Sequence, residues 1–295
     1  MGNDFSIKVT TDSELLTFLF EKLTQRSKSA VREILKSGRV TVNDVGTTQY
    51  NYKLLTGDIV KILPRPKKQE GSLQSSKLSI LYEDNHVLVI NKKEGLLSVG
   101  TAGDKENTAY HILNQHVKQQ GYGRHIYVVH RLDRKTSGVM MFAKSSQARD
   151  VLRANWHDIV VERSYYAVAE GCFEKNDGQI VSWLTEDKML KIHSSPIDNG
   201  GLHAITNYKL IQSNDSYSLL KLNLETGRKN QIRVHLQSIG HSVAGDFKYG
   251  AQTNPIGRVC LHAATLTFMH PITRKELKFE VPVPSVFYKL TMQKH

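Results

Sequence analysis

The stretch VVHRLDRKTSGVMMFAK, Val128 to Lys144, sets a polar segment between two apolar runs. The second run, Gly138 to Ala143, is short and bounded by turn-forming residues, which points to a buried strand rather than a helix. The polar segment then lies on a turn at the end of a sheet, where a rigid frame presents functional side chains. One acid, Asp133, stands there among Arg131, Arg134 and Lys135. Two readings are open. A D-R-K turn is an ordinary solvated turn. A carboxylate among cations favours its ionised form and serves equally well as a base or a nucleophile. Local spacing does not choose between them.

On either side of this stretch the pattern is strand-rich. LSILYEDNHVLVINKKEG carries two apolar strands, Ile80 to Tyr82 and Val87 to Ile90, broken at Asp84-Asn85. SYYAVAEG, HAITNYKLIQSNDSYSLLKLNLETG and VCLHAATLTFMHP read as further strands, and Asn214-Asp215 turns one hairpin. SSQARDVLRANW reads as a helix capped by Ser145 or Ser146. In NQIRVHLQSIG, Ile232, Leu236 and Ile239 fall at i, i+4 and i+7, a short helix ending at Gly240. Many strands, few helices and tight hairpins predict an α+β domain over 78–295, with a mostly antiparallel central sheet flanked by helices.

Residues 64–77, PRPKKQEGSLQSSK, are polar, lack apolar periodicity and read as a linker. Before it, residues 1–63 form a separate small α/β pattern. Leu15, Leu19 and Leu23 make one helical stripe with Leu16 and Phe20 beside it. A second helix begins at a Ser27 or Ser29 cap, carries Val31, Ile34 and Leu35, and stops at Gly38. Strands follow, with turns at Asn43-Asp44 and Gly57-Asp58. Lys22, Arg26, Lys28, Arg32, Lys36 and Arg39 crowd this helix pair against a single acid, Glu33. A solvated helix face is one reading; the concentration of charge on short helices favours contact with phosphates.

The whole chain, 295 residues with a formal net charge of +12, points the same way, toward a polyanionic partner. No apolar run approaches the roughly 20 residues of a membrane helix. MGNDFSIKVTTD lacks the basic and apolar regions of a signal peptide. MGNDFS matches the loose myristoylation pattern, a short motif for a weak anchor. Two cysteines, Cys172 and Cys260, form no CxxC pair and suit a reducing, cytoplasmic setting. There is no HExxH, and His111 and His116 are five apart, so no metal site is expected. GxGxxG after a strand, Walker and GxSxG signatures are absent, which weighs against hydride transfer, nucleotide hydrolysis and serine acyl transfer.

HRLDRKTSG resembles the HRLDxxTSG signature of RluA-type pseudouridine synthases, the large ribosomal-subunit branch. Four further stretches agree in order: LYEDNHVLVINKKEGL, RSYYAVAEG, LETGRKNQIRVHLQSIGHSVAGDFKYG and CLHAATLTFMHP. SKSAVREILKSGRVTVNDV with LLTGDIVKI resembles an S4 RNA-binding domain over residues 12 to 63. The chain departs from the family at Lys93, where KPxG reads KKEG, at Asn230, where TGRxHQIR reads TGRKNQIR, and at Ser242, where GHP reads GHS.

The resemblance implies an RNA pseudouridine synthase that needs neither cofactor nor metal, because base detachment, rotation and rejoining through C5 leave no net redox change. It implies Asp133 as nucleophile, at ribose C1′ or base C6, and Arg233 as its ion partner. It implies Tyr165 beneath the base, and Arg131 either filling the space an extruded uridine leaves or contacting phosphate. The implied partner is structured RNA, ribosomal by analogy with the S4-like domain. Transfer RNA is an alternative substrate; a non-catalytic ribosome-assembly factor and a base-releasing glycosidase are rival classes. A soluble monomer is the expectation.

Overall fold

The strand anticipated at Gly138 begins one residue earlier, and its glycine explains how the sheet is joined. In the computed structural model, which describes residues 5–63, 77–100, 103, 105–121 and 124–293, the chain divides into two compact units. They are Met1–Gln69 with Tyr110–Ile126, and Glu70–Ala109 with Tyr127–His295. The first four residues of the myristoylation-like stretch, and all of the linker segment except Lys77, lie outside the described residues.

The first unit contains β1 (Phe5–Lys8), β2 (Ser13–Glu14), α1 (Leu15–Lys22), α2 (Lys28–Lys36), β3 (Val40–Val42), β4 (Val45–Gly46), β5 (Lys53–Leu54) and β6 (Ile59–Ile62). It also takes in all but the first residue of α3 (Ala109–Gln119). Leu15, Leu19 and Leu23 of the sequence stripe are buried with Val31, Ile34 and Leu35 against Val40, Val42 and Val60. Ser27, not Ser29, is the cap: its hydroxyl accepts from Ala30 N at 3.3 Å. Asn43 and Asp44 both adopt positive φ, the conformation a two-residue hairpin requires.

The second unit is built on an 11-stranded sheet. Its elements are β7 (Leu78–Glu83), β8 (Val87–Lys92), β9 (Tyr127–Val128), β10 (Ser137–Ala143), α4 (Ser146–Ala154), α5 (Trp156–Ile159), β11 (Val160–Glu170), β12 (Asp177–Glu186), β13 (Ile192–Ser195), β14 (Leu202–Ser213), β15 (Tyr217–Leu224), α6 (Gln231–Ser238), β16 (Leu261–Met269), β17 (Glu276–Glu280) and α7 (Ser285–Thr291). The strand order is β13-β12-β14-β15-β11-β16-β10-β8-β7, with β17 on β16 and β9 on β10. β10 and β16 run parallel, and the other pairs are antiparallel. The α+β architecture of the sequence reading is thus observed.

Ser145 caps α4, accepting from Ala148 N at 3.1 Å. Asn214 Oδ1 closes the β14–β15 hairpin by accepting from the amides of Ser216 and Tyr217. Ile239, placed on the apolar stripe of α6 by its spacing, is the residue that caps the helix end and is 39% exposed. β12, β13, β17, α3 and α7 were not anticipated. β12 turns Ile180, Ser182 and Leu184 inward, but a polar Ser182 on the inner face and an apolar Val181 and Trp183 on the other blur the alternation.

The parallel contact depends on Gly138. Its φ is +116, and a Cβ there would stand 2.0 Å from Ala263 O. Backbone therefore meets backbone where β10 leaves the Asp133 turn. Gly138→Ala is expected to lower stability by roughly 3 kcal/mol through combined strain and overlap. Urea unfolding reads this directly; an unchanged midpoint would mean that the two strands part without cost.

Candidate active site

Asp133 stands on the tight turn before β10, where Thr136 N donates to Asp133 O at 3.1 Å. The loop after β8 holds this turn. Leu132 N donates to Ser98 Oγ at 3.1 Å, and that hydroxyl donates to Leu132 O at 2.6 Å. Gly95 N donates to Arg134 O at 2.8 Å, and Arg134 Nε returns the bond to Gly95 O at 3.0 Å. Under the loop lies Lys92, fully buried, whose amine donates to Lys93 O and Leu96 O. Burial pushes that amine down to about 8, while the charge of Asp133 pulls it back up.

His130 of the signature is structural. Its Nε2 accepts from Met141 N at 3.0 Å and its ring packs 5.0 Å from Trp156. Burial, with Arg163 nearby, pushes the imidazole down to about 3. The residue is therefore a neutral acceptor, fixing the turn to the strand that follows it.

Arg233 reaches Asp133 from α6, with Nη1 3.1 Å from Asp133 Oδ2. Residues 231–236 of this helix are all buried. Gln231 donates to Ile205 O and Thr206 Oγ1 and accepts from Thr226 Oγ1 and Arg228 N. One turn further on the same face, His235 bridges Ser182 and that same Thr206 hydroxyl. Anchored at both ends, the helix points Arg233 at the Asp133 turn. Asp246 grips the guanidinium from behind in a bidentate pair, Oδ2 to Nε at 2.5 Å and Oδ1 to Nη2 at 2.7 Å. Asn230 Oδ1 accepts from Nη1 at 3.0 Å, and the Tyr249 ring lies under the guanidinium at 4.8 Å. Burial opposes the arginine's charge, but Asp246 and then Asp133 outweigh it and hold its pKa above the ordinary arginine value.

Tyr165 on β11 completes an open pocket, about 380 Å³ counting the solvent at its mouth, whose walls include Asp133, Arg131, Arg233, Leu224 and Leu261. Burial raises the Tyr165 phenol, Arg163 works against this, and the Asp133 charge adds to it. The phenol is therefore neutral, with an apolar ring face to offer a planar ligand. Arg131 is exposed on the cavity wall. The structure thus brings Asp133, Arg233, Tyr165 and Arg131 together.

The basic residues of the first unit separate into two groups. Arg26, Lys28, Arg32 and Lys36 are exposed. Lys28, Arg32 and Lys36 follow one another at i, i+4 and i+8 along α2, and Lys28 and Arg32 lie over the Phe20 ring at 6.0 and 5.4 Å. Arg39 is half-buried, and its Nε donates to Leu63 O at 2.8 Å, tying down the end of β6.

Asp246, Tyr249 and Asn230 were not singled out as site residues. Their signal was present in the GDFKYG and TGRKNQIR stretches, but only the tertiary structure brings them to Arg233. Gly245 supplies the bend: its φ is +81, and a Cβ there would stand 2.1 Å from Arg258 O.

Comparison with known proteins places most of the chain in one family. Residues 86–238 match the family described as RNA pseudouridylate synthase, and residues 15–60 match the S4 domain. The chain is 32% identical over 286 residues to ribosomal large subunit pseudouridine synthase D of Neisseria meningitidis, covering 92% of this chain and 76% of that one. It is 34% identical over 272 residues to the uncharacterized RNA pseudouridine synthase YlyB of Bacillus subtilis, covering 90% and 89%. Among solved structures, human RNA pseudouridylate synthase domain containing 1 aligns over 72% of this chain and 86% of its own, with a TM-score of 0.57 at 22% identity, a likeness of fold. The chain belongs to the RNA pseudouridylate synthase family. It is an isomerase that carries an S4 domain at its N-terminus.

The buried histidines make the second unit sensitive to acid. His130 is pushed down to about 3, and His235 and His262 to about 4, each by burial first. Below the ordinary histidine value of about 6.5 the unfolded chain takes up protons that the folded chain refuses, so stability falls as pH drops from there toward 4. Urea midpoints measured across this range are expected to fall. His235→Gln is expected to flatten the slope by about one proton; an unaltered slope would show that His235 is already protonated in the folded state.

Proposed function

We propose that this enzyme isomerises uridine in large-subunit ribosomal RNA with Asp133 as its nucleophile. The observation that carries the reading is the Arg233–Asp133 contact, made across 100 residues of sequence at the mouth of a cavity whose wall includes Tyr165. The ribosomal substrate is supported by the names of curated relatives and by the S4 domain. A transfer RNA substrate has no such support here.

In this reading the target uridine leaves its stack and enters the cavity, at a cost of a few kcal/mol. Arg131, on the wall, fills the vacated space in the RNA. Tyr165 stacks on the base; its neutral phenol suits this better than removal of a proton. Asp133 attacks ribose C1′ or base C6. By either route the N1–C1′ bond breaks, the base turns, a C5–C1′ bond forms, the bond to Asp133 breaks and returns its carboxylate, C5 gives up its proton and N1 gains one. Arg233 holds Asp133 in place throughout and compensates its charge. Lys28, Arg32 and Lys36 bind RNA phosphates, as do Arg26 and Arg39 at the ends of α2. The working division is residues 1–63 for RNA binding and 78–295 for chemistry, joined by 64–77. The enzyme acts as a cytoplasmic monomer; no described helix is long and apolar enough to cross a membrane.

Total RNA carrying tritium at uridine C5, taken from cells lacking this protein, is expected to release tritium with the wild type and none with Asp133→Asn. Release by the variant at the wild-type rate would remove Asp133 from the mechanism. RNA of unchanged mass after the reaction excludes a base-releasing glycosidase.

Replacing Lys28, Arg32 and Lys36 together by alanine is expected to weaken RNA binding and to reduce the slope of log affinity against log salt by about 2–3. An unchanged slope would take α2 away from the phosphates.

A further inference from the structure

Arg233 has five N–H groups, and their partners define its orientation. Nε and Nη2 grip Asp246. Nη1 has two hydrogens, and two acceptors face it: Asn230 Oδ1 at 3.0 Å and Asp133 Oδ2 at 3.1 Å. Asn230 is itself fixed twice. Its φ of 55 puts it in the left-handed region at the head of α6, and its Nδ2 donates to Tyr249 Oη at 2.8 Å. Tyr249 Oη also accepts from Ile192 N at 3.2 Å. The amide cannot turn over without setting its NH₂ against the guanidinium.

We propose that Asn230 is a positioning residue of the reaction, fixing the Arg233 guanidinium so that one Nη1 hydrogen stays on Asp133, through a group whose charge does not change with pH. This rests on the reading of Asp133 as nucleophile.

The charged and titratable groups around Asn230 come from several elements. Arg233 faces it from α6, and Asp133 from the turn before β10. Asp246 and Tyr249 lie on the segment after α6, Arg228 and Lys229 on the turn before it, and Glu186, paired with Lys229, at the end of β12. Both acids nearest the site already share Arg233. A histidine at position 230, the residue in the family motif, accepts from Nη1 only while neutral, since both ring nitrogens of the protonated ring are donors. An amide keeps its acceptor at every pH. Histidine and asparagine are both enriched in the left-handed region, so Asn230→His suits the backbone.

The test is single-turnover tritium release from the same labelled total RNA, with enzyme concentration varied to separate the limiting rate from half-saturation. Asn230→Ala is expected to lower the limiting rate roughly 10- to 100-fold at every pH, with half-saturation changed by less than about threefold. Asn230→His is expected to lose roughly tenfold or more between about pH 8 and 5.5, relative to the wild type over the same range, and to regain its rate on return to pH 8. That recovery shows that the variant is folded. A limiting rate for Asn230→Ala equal to the wild type's, or a profile for Asn230→His parallel to it, would overturn the proposal. Absence of release by the wild type would overturn the reading of Asp133, and this proposal with it.

Discussion

A guanidinium almost out of reach of water is the constraint around which the catalytic unit is organised. Arg233 is 7% exposed, and a buried cation without partners costs far more than a folded domain can spare. Asp246, wholly buried, neutralises it along one edge and leaves the other edge for Asp133. The order of these contacts matters. Because Asp246 takes two of the guanidinium's donors and Asn230 a third, the group is rigid before Asp133 meets it. A cation already fixed in direction loses little freedom when charge develops beside it, the condition under which electrostatic stabilisation is strongest.

Holding Arg233 there requires α6 to be buried on every side, which is unusual for a helix of eight residues. Polar side chains achieve it: Gln231 and His235 satisfy one another's neighbours through Thr206, Ser182 and Thr226. Such a network tolerates little, since each unmatched member would leave a buried polar atom. The sheet adds a second requirement. The Asp133 turn leads into β10 at the place where β10 crosses β16 in parallel, and only a residue without a Cβ allows that approach.

Much of this was legible in the sequence. The buried strand after Asp133, a serine cap on α2 and on α4 to within two residues, the Asn43-Asp44 and Asn214 turns and the α6 helix each rest on local rules, and local rules read well from one chain. β12 and β17 did not read so: in β12 the inner face carries Ser182 and the outer face Val181 and Trp183, and in β17 the alternation of ELKFE runs for only five residues. The site divides along the same line. Asp133, Arg233 and Tyr165 came from extended motifs, whereas Asp246 and Tyr249 act through Arg233, a relation that exists only after folding. Arg39 shows the converse: a basic residue in a basic cluster, half of whose work is holding a strand end.

The turn bearing Asp133 is gripped through main-chain atoms of Gly95, Leu132, Arg134 and Thr136, with side chains lent only by Ser98, Arg134 and His130. A scaffold of that kind is indifferent to most of the side chains it carries. Lys93 and Lys135, both exposed, project from loops whose shape does not depend on them. Where the family motif has proline, Lys93 donates its amide to Lys77 O, a bond that a proline could not make. The exposed side chains and the turn that carries them are thus mechanically uncoupled here. Changes at these lysines leave the Asp133 carboxylate where it is, so the surface around it can vary while the turn does not.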